Sequence, residues 1–117
     1  MFLPLFARLW FVLIVVQFHA AGLANFGAAS FTVHAVTGRV FILPSLALTI
    51  AALVSKARRQ VAWIAAVILV LSALQPAIAL GLRQFPWVRA LHPVVGLMIG
   101  GLLILFAKRG TPAARQS

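Results

Sequence analysis

The 117-residue sequence contains no cysteine, no aspartate and no glutamate. Without cysteine, the chain can form neither a disulfide nor a thiolate metal site. Without carboxylates, it lacks the side chains on which intramembrane proton relays and divalent-cation cages usually depend. The sequence therefore excludes a quinone-linked disulfide oxidase and an exporter that depends on a membrane glutamate.

Apolar residues make up 64% of the chain and charged residues only 9%, which excludes an ordinary soluble domain. Four apolar stretches predict helices over residues 5–29, 32–54, 61–82 and 88–107. Each is close to the roughly 20 residues that a helix needs to cross a bilayer. The first stretch is about twice as long as the apolar part of a secretory signal, so we predict a spanning helix there. By this interpretation, residues 1–117 form one membrane domain.

The connections between the predicted helices are short, which favours an all-α, up-down-up-down bundle of four antiparallel neighbours. Two prolines fall inside these helices, at Pro44 and Pro76. Pro76 cannot donate a backbone hydrogen bond to the carbonyl of Ser72, so we expect the third helix to bend there. We expect a kink at Pro44 in the second helix for the same reason.

The lysines and arginines give a formal net charge of +10 and lie mostly near helix ends. In such a bundle one side of the membrane holds the larger basic group, which is Arg8, Lys56, Arg58, Arg59, Lys108, Arg109 and Arg115. The other side holds Arg83 and Arg89. The positive-inside rule then predicts a multi-pass protein with both termini cytoplasmic. Anionic lipids are the expected counter-ions, and nucleic acid is not an expected partner because no soluble basic face exists.

A five-residue pattern occurs twice, as His34-Ala-Val-Thr-Gly38 and as His92-Pro-Val-Val-Gly96, at an offset of 58 residues. The same offset superposes Gln17 on Gln75. The pairing of these rare polar residues predicts a duplicated helical hairpin. Its pseudo-twofold axis would lie along the membrane normal, with the second and fourth helices facing each other across the core.

His34 and His92 would then lie at one depth near the outer face, as candidate metal ligands on facing helices. Neutral imidazole is a normal axial ligand of haem, and transmembrane b-type cytochromes hold haem between histidines. Gly38 and Gly96 lie one helical turn deeper, where a small residue leaves space for a porphyrin. The alternative is a pair of interfacial histidines bonded to backbone carbonyls or water, beside glycines that allow close helix packing.

Four further polar residues are candidates for cofactor contacts. Gln17 and Gln75 are predicted to form interhelical hydrogen bonds beside the histidines. His19 could ligate a second pigment or hydrogen-bond to a quinone, and otherwise bonds to a neighbouring helix. Arg39 has no carboxylate partner, so it must use backbone carbonyls, a lipid phosphate, a partner subunit or a haem propionate.

The order of Gln17, His34-x-x-x-Gly38, Gln75-Pro76 and His92-Pro-x-x-Gly96 resembles a family of small four-helix prokaryotic membrane proteins of unknown function. More distantly, it resembles the bis-histidine haem bundles of the cytochrome b561 type. The first resemblance implies a four-helix fold in a prokaryotic inner (cytoplasmic) membrane, with no assigned activity. The second implies haem b with His34 and His92 as axial ligands. Because the chain has three histidines, it can hold at most one such haem.

The function that the sequence predicts is electron transfer through one haem b near the outer face, to or from a quinone or a redox partner. The alternative is a non-catalytic accessory subunit of a larger membrane complex, with a chlorophyll-type pigment on one histidine or with no cofactor. Enzyme activity by the chain alone is not expected, because the sequence shows no nucleophile–base or acid–base pair.

Overall fold

The computed structural model describes residues 2–81 and 84–110, and in these ranges the chain forms helices and no strand. The helices are α1 (Phe2–Asn25), α2 (Phe31–Val40), α3 (Ile42–Val54), α4 (Arg59–Pro76), α5 (Pro86–Arg89) and α6 (Leu91–Gly110). A π-helical turn, Ala77–Gly81, follows α4 directly. The predicted end of the third helix at residue 82, and the basic residues Arg83 and Arg115, lie outside the described residues.

Four segments are long and apolar enough to cross a membrane: Phe2–Asn25, Phe31–Val54, Arg59–Leu80 and Pro86–Gly110. The prediction of four apolar membrane-spanning segments is therefore confirmed. Their length and composition indicate a multi-pass membrane protein. Many of their large apolar side chains lie on the outside of the bundle, among them Val12, Leu43, Val70 and Leu97. Such a surface suits lipid tails, which are as apolar as these side chains.

The first helix ends at Asn25, four residues earlier than predicted, because Gly27 turns the backbone. Gly27 has a φ of +74°, which glycine adopts without steric cost. The amide of Ala28 donates to the carbonyl of Leu23 at 2.8 Å, and the amide of Gly27 donates to that of Ala24 at 3.2 Å. This pair of bonds is a Schellman motif. It ends the helix although the apolar stretch of the sequence continues to residue 29.

Both internal prolines interrupt the regular helix, as the sequence predicts. The second span divides into α2 and α3 at Phe41, whose amide bonds to the Gly38 carbonyl at 3.3 Å in a tighter turn. Pro44 lies one turn further on and cannot donate to the carbonyl of Val40. In the third span, the α-helix gives way to the π-helical turn at Pro76, a common adjustment where one intrahelical bond is missing.

The core lies along the length of the bundle between all four spans. α1 packs against α2, α3 and α6, and α4 packs against α3 and α6. Consecutive spans are therefore neighbours, and the first span also contacts the last. The side chains of Trp10, Leu48, Ile68, Leu103 and Phe106 are at least 98% buried.

The C-terminus of α3 carries a strained residue, and its replacement should stabilise the fold. Lys56 has a φ of +52° within a second Schellman motif, in which the amide of Ala57 donates to the carbonyl of Ala52 at 3.0 Å. A residue with a side chain loses roughly 1–2 kcal/mol of stability in this conformation. Glycine avoids that strain, but its larger conformational entropy in the unfolded state cancels part of the gain. We expect Lys56→Gly to raise the free energy of unfolding by about 1 kcal/mol, measured by denaturation in mixed micelles. Lys56→Ala, which removes the charge and keeps the strain, should leave stability unchanged; an equal gain in both variants would make the charge responsible.

Candidate histidine site

His34 of α2 and His92 of α6 form a ring pair at one end of the bundle. Their ring centroids are 6.0 Å apart and their planes are inclined by 83°. Both side chains are half-buried. The structure thus brings together the two histidines that the repeated pattern singles out, from helices separated by 58 residues of chain. Within the described ranges, no third ligand of the His, Cys, Asp or Glu type joins them.

Each histidine is held by the same contact to the preceding span. Nδ1 of His34 lies 3.1 Å from the backbone carbonyl oxygen of Gln17, and Nδ1 of His92 lies 3.2 Å from that of Gln75. A carbonyl oxygen can only accept a hydrogen bond, so Nδ1 must carry the proton in both rings. In the neutral imidazole, Nε2 then has a free lone pair, which is the state of a metal-ligating histidine.

The side chain of Gln17 joins α1 to α2 beside this contact. Gln17 is buried, with 8% of its surface exposed, and its Nε2 donates to the carbonyl of His34 at 3.3 Å. The hydroxyl of Thr37 donates to Oε1 of Gln17 at 3.0 Å and lies 2.6 Å from the carbonyl of Val33. Because a hydroxyl has one hydrogen, these two acceptors share it.

The equivalent glutamine of the second half is less well satisfied. Oε1 of Gln75 is buried and has no hydrogen-bond partner among the described residues. The offset of 58 residues places Val95 where the first half has Thr37. The side chain of valine cannot donate a hydrogen bond. Both glutamines therefore contact a histidine through their backbone carbonyl, but within the described residues only the side-chain oxygen of Gln17 accepts a hydrogen bond.

Gly38 and Gly96 make room for the glutamine amides. A Cβ atom on Gly38 would lie 3.3 Å from Nε2 of Gln17, and one on Gly96 would lie 3.2 Å from Nε2 of Gln75 and 3.1 Å from Cζ of Phe18. These distances are tighter than ordinary packing. Side chains of the protein itself therefore fill the space beside both glycines, where the sequence predicts room for a porphyrin.

Exchanging the residues that distinguish the halves should shift stability in opposite directions. Thr37→Val removes the donor to Gln17, and we expect it to lower the free energy of unfolding by about 1 kcal/mol. Val95→Thr supplies a donor at the position that corresponds to Thr37, for the Oε1 of Gln75 that lacks a partner among the described residues, and we expect a gain of about 1 kcal/mol. Both changes are measured by denaturation in mixed micelles. A loss of stability in Val95→Thr would contradict the assignment of the unpaired amide oxygen.

Residues 17–82, more than half of the chain, match a family of unknown function, DUF6220. The chain belongs to this family. The match fits the membrane family of unknown function that the motif order resembles, whereas the likeness to cytochrome b561 stays a prediction. A comparison with curated proteins and with solved structures found no match. The segment shared with DUF6220 includes Gln17, His34 and Gln75 and ends before His92.

Two of the predicted site residues of this DUF6220 protein lie apart from the ring pair. His19 is exposed on α1, two residues after the buried Gln17 and therefore on roughly the opposite helix face. Arg39 is exposed at the end of α2. Neither side chain makes a hydrogen bond within the described residues. Both face the surroundings of the bundle rather than its core.

Two residues of the DUF6220 site escape the sequence analysis. Thr37 lies inside the His34-x-Val-x-Gly38 pattern, one turn after the histidine, and its mismatch with Val95 is the signal that could reveal it. Phe18 covers Gly96 from a different span. No sequence signal identifies that contact, because it depends on how α1 packs against α6.

Proposed function

We propose that this protein transfers electrons in the membrane through one haem b, held by Nε2 of His34 and Nε2 of His92. The observation that carries the proposal is the ring pair itself. Two imidazoles from different spans lie 6.0 Å apart, and each has its Nδ1 committed to a backbone carbonyl. This leaves Nε2 of each neutral ring free to ligate a shared group.

The ring pair could hold a single metal atom, because the centroids of its two imidazoles lie only 6.0 Å apart. The donor set of two neutral imidazoles is that of a bis-histidine b-type haem.

Bound haem b would supply one-electron redox chemistry. The residues around the rings prepare their ligation. The carbonyls of Gln17 and Gln75 favour one tautomer and orient the rings, as outer partners of metal-bound histidines generally do. The amide of Gln17 ties α1 to the carbonyl of His34, which restrains the helix that carries this ligand.

The matching contacts in the two halves also support a duplicated hairpin with a pseudo-twofold axis and up-down-up-down topology. Each half has a glutamine carbonyl bonded to a histidine seventeen residues later in the chain. The ring of neighbouring spans places the second and fourth on a diagonal. The histidines are at the end away from the basic connector Lys56–Arg59, so positive-inside orientation puts them near the outer face.

A reduced-minus-oxidised absorption spectrum of the purified protein, expressed with ample haem, tests the proposal. We expect the split bands of a low-spin b-type cytochrome, with about one haem per chain by pyridine haemochrome assay. A spectrum without haem bands from the folded protein would contradict the haem proposal.

The exposed His19 and Arg39 support a second proposal, an accessory subunit of a larger membrane complex with a chlorophyll-type pigment on His19. Both residues are polar groups on surfaces that lipid alone would leave unpaired. Migration of the protein with a larger pigmented complex on a native gel would favour this function. A stable isolated protein that retains haem would contradict it.

A further inference from the structure

The end of the bundle away from the histidines contains a cleft of about 360 Å³. It lies between the start of α1, the connector from α3 to α4 and the end of α6, and is lined by Leu3, Ser55, Arg58, Val61 and Arg109. Its volume falls within the roughly 300–1,000 Å³ typical of ligand sites. This cleft has no part in the haem proposal.

Arg58 and Arg109 border the cleft, and neither guanidinium group has a carboxylate partner among the described residues. Nη2 of Arg58 donates to the backbone carbonyl of Arg109 at 3.0 Å, which occupies one of the five N–H donors of Arg58. The chain has no Asp or Glu, so none of its side chains can neutralise either arginine. Lys56, Arg59 and Lys108 add positive charge in the same segments. The positive charge around the cleft therefore favours an anionic ligand.

Apolar side chains, those of Leu3, Ala57 and Val61, line another part of the cleft. Val61 is 4% exposed and Leu3 is half-buried, and both belong to helices long and apolar enough to span a membrane. The cleft thus joins a cationic rim to an apolar wall at the ends of the spans. Phospholipid phosphates lie at that depth, with acyl chains directly beneath them.

We propose that this cleft binds the headgroup of an anionic phospholipid. Arg58 and Arg109 contact the phosphate oxygens, for which the planar fork of arginine is well matched. Leu3 and Val61 contact the upper part of an acyl chain. A free phosphate ion would use the cationic rim and leave the apolar wall without a partner, so the lipid is the better occupant.

Native mass spectrometry of the full chain, titrated with phosphatidylglycerol, tests this site. Arg109→Gln is the informative variant, because its backbone carbonyl can still accept the hydrogen bond from Arg58. We expect it to weaken phosphatidylglycerol binding roughly tenfold, as the loss of one charge-assisted contact implies. The matched control is Arg39→Gln, which removes the same charge from an exposed position in α2 and should change binding less than about twofold. Arg58→Lys, which keeps the charge but lacks the fork, should also weaken binding.

Three results would overturn the proposal. Equal losses in Arg109→Gln and Arg39→Gln would mean that net charge, and not this cleft, attracts the lipid. Binding of phosphatidylcholine as tight as that of phosphatidylglycerol would remove the preference for an anionic headgroup. Displacement of phosphatidylglycerol by an equal concentration of inorganic phosphate would identify a simple anion site. Each result is independent of whether the protein holds haem.

Discussion

Replacement of His34 or His92 with alanine is expected to abolish the low-spin haem spectrum of the purified protein, whereas His19→Ala leaves it intact. Among the described residues, the imidazoles of His34 and His92 are the metal-ligating side chains brought together at this site, so either replacement leaves a single histidine there. His19 is exposed on another face and is the matched control, since it removes the same side chain from the same membrane domain. The readouts are the reduced-minus-oxidised spectrum and the haem content per chain.

A variant that retains two ligands distinguishes ligation from a general loss of folding. Thioether sulfur also ligates haem iron and raises the reduction potential relative to a second histidine. We therefore expect His92→Met to keep a low-spin spectrum with a raised midpoint potential. Equal loss of haem in His19→Ala and His34→Ala, with all variants folded by circular dichroism, would contradict the assignment of the ring pair.

Gly96→Leu is expected to lower the free energy of unfolding by about 3 kcal/mol, at the upper end of the cost of overpacking. Even a Cβ atom at this position would lie 3.1 Å from Cζ of Phe18 and 3.2 Å from Nε2 of Gln75. The further carbons of leucine would force α1, α4 and α6 apart. Since lipid is as apolar as leucine, no gain in burial offsets this cost.

Gly101 is the matched control for this substitution. It lies in the same helix, is exposed, and a Cβ added to it meets nothing within 4 Å. Gly101→Leu should raise stability by up to about 1 kcal/mol, because leucine has the higher helix propensity. Unfolding in mixed micelles measures both. Similar stability changes in the two variants would show that Phe18 and Gln75 do not pack as described.

Particular residues show how far the sequence could predict this protein. The apolar stretches predict the four spans, because a helix that crosses a bilayer must be apolar over a defined length. Pro44 and Pro76 predict the interruptions, since each lacks a backbone donor. Gly27 lies within the predicted helix over residues 5–29, but its positive φ ends α1 earlier than the apolar composition suggests.

The repeated pattern predicts that His34 and His92 belong together, but not what holds them. Their partners are backbone carbonyls of Gln17 and Gln75, and every residue has a carbonyl, so no residue type marks these acceptors. The glycines illustrate the same limit. A missing side chain indicates that something lies close, and only the packing shows that it is a glutamine amide and a phenylalanine ring.

Composition and spacing in the sequence predict a membrane chain with four spans, in which the same five-residue histidine pattern occurs twice and no acidic side chain is present. These properties follow from composition, helix length and spacing, which are local. Only the tertiary structure shows the ring separation, the carbonyl contact of each Nδ1 and the arginine-lined cleft. It also shows that Oε1 of Gln75 has no partner among the described residues. Each of these depends on contacts between spans, whose distances are set by helix packing and not by position along the chain.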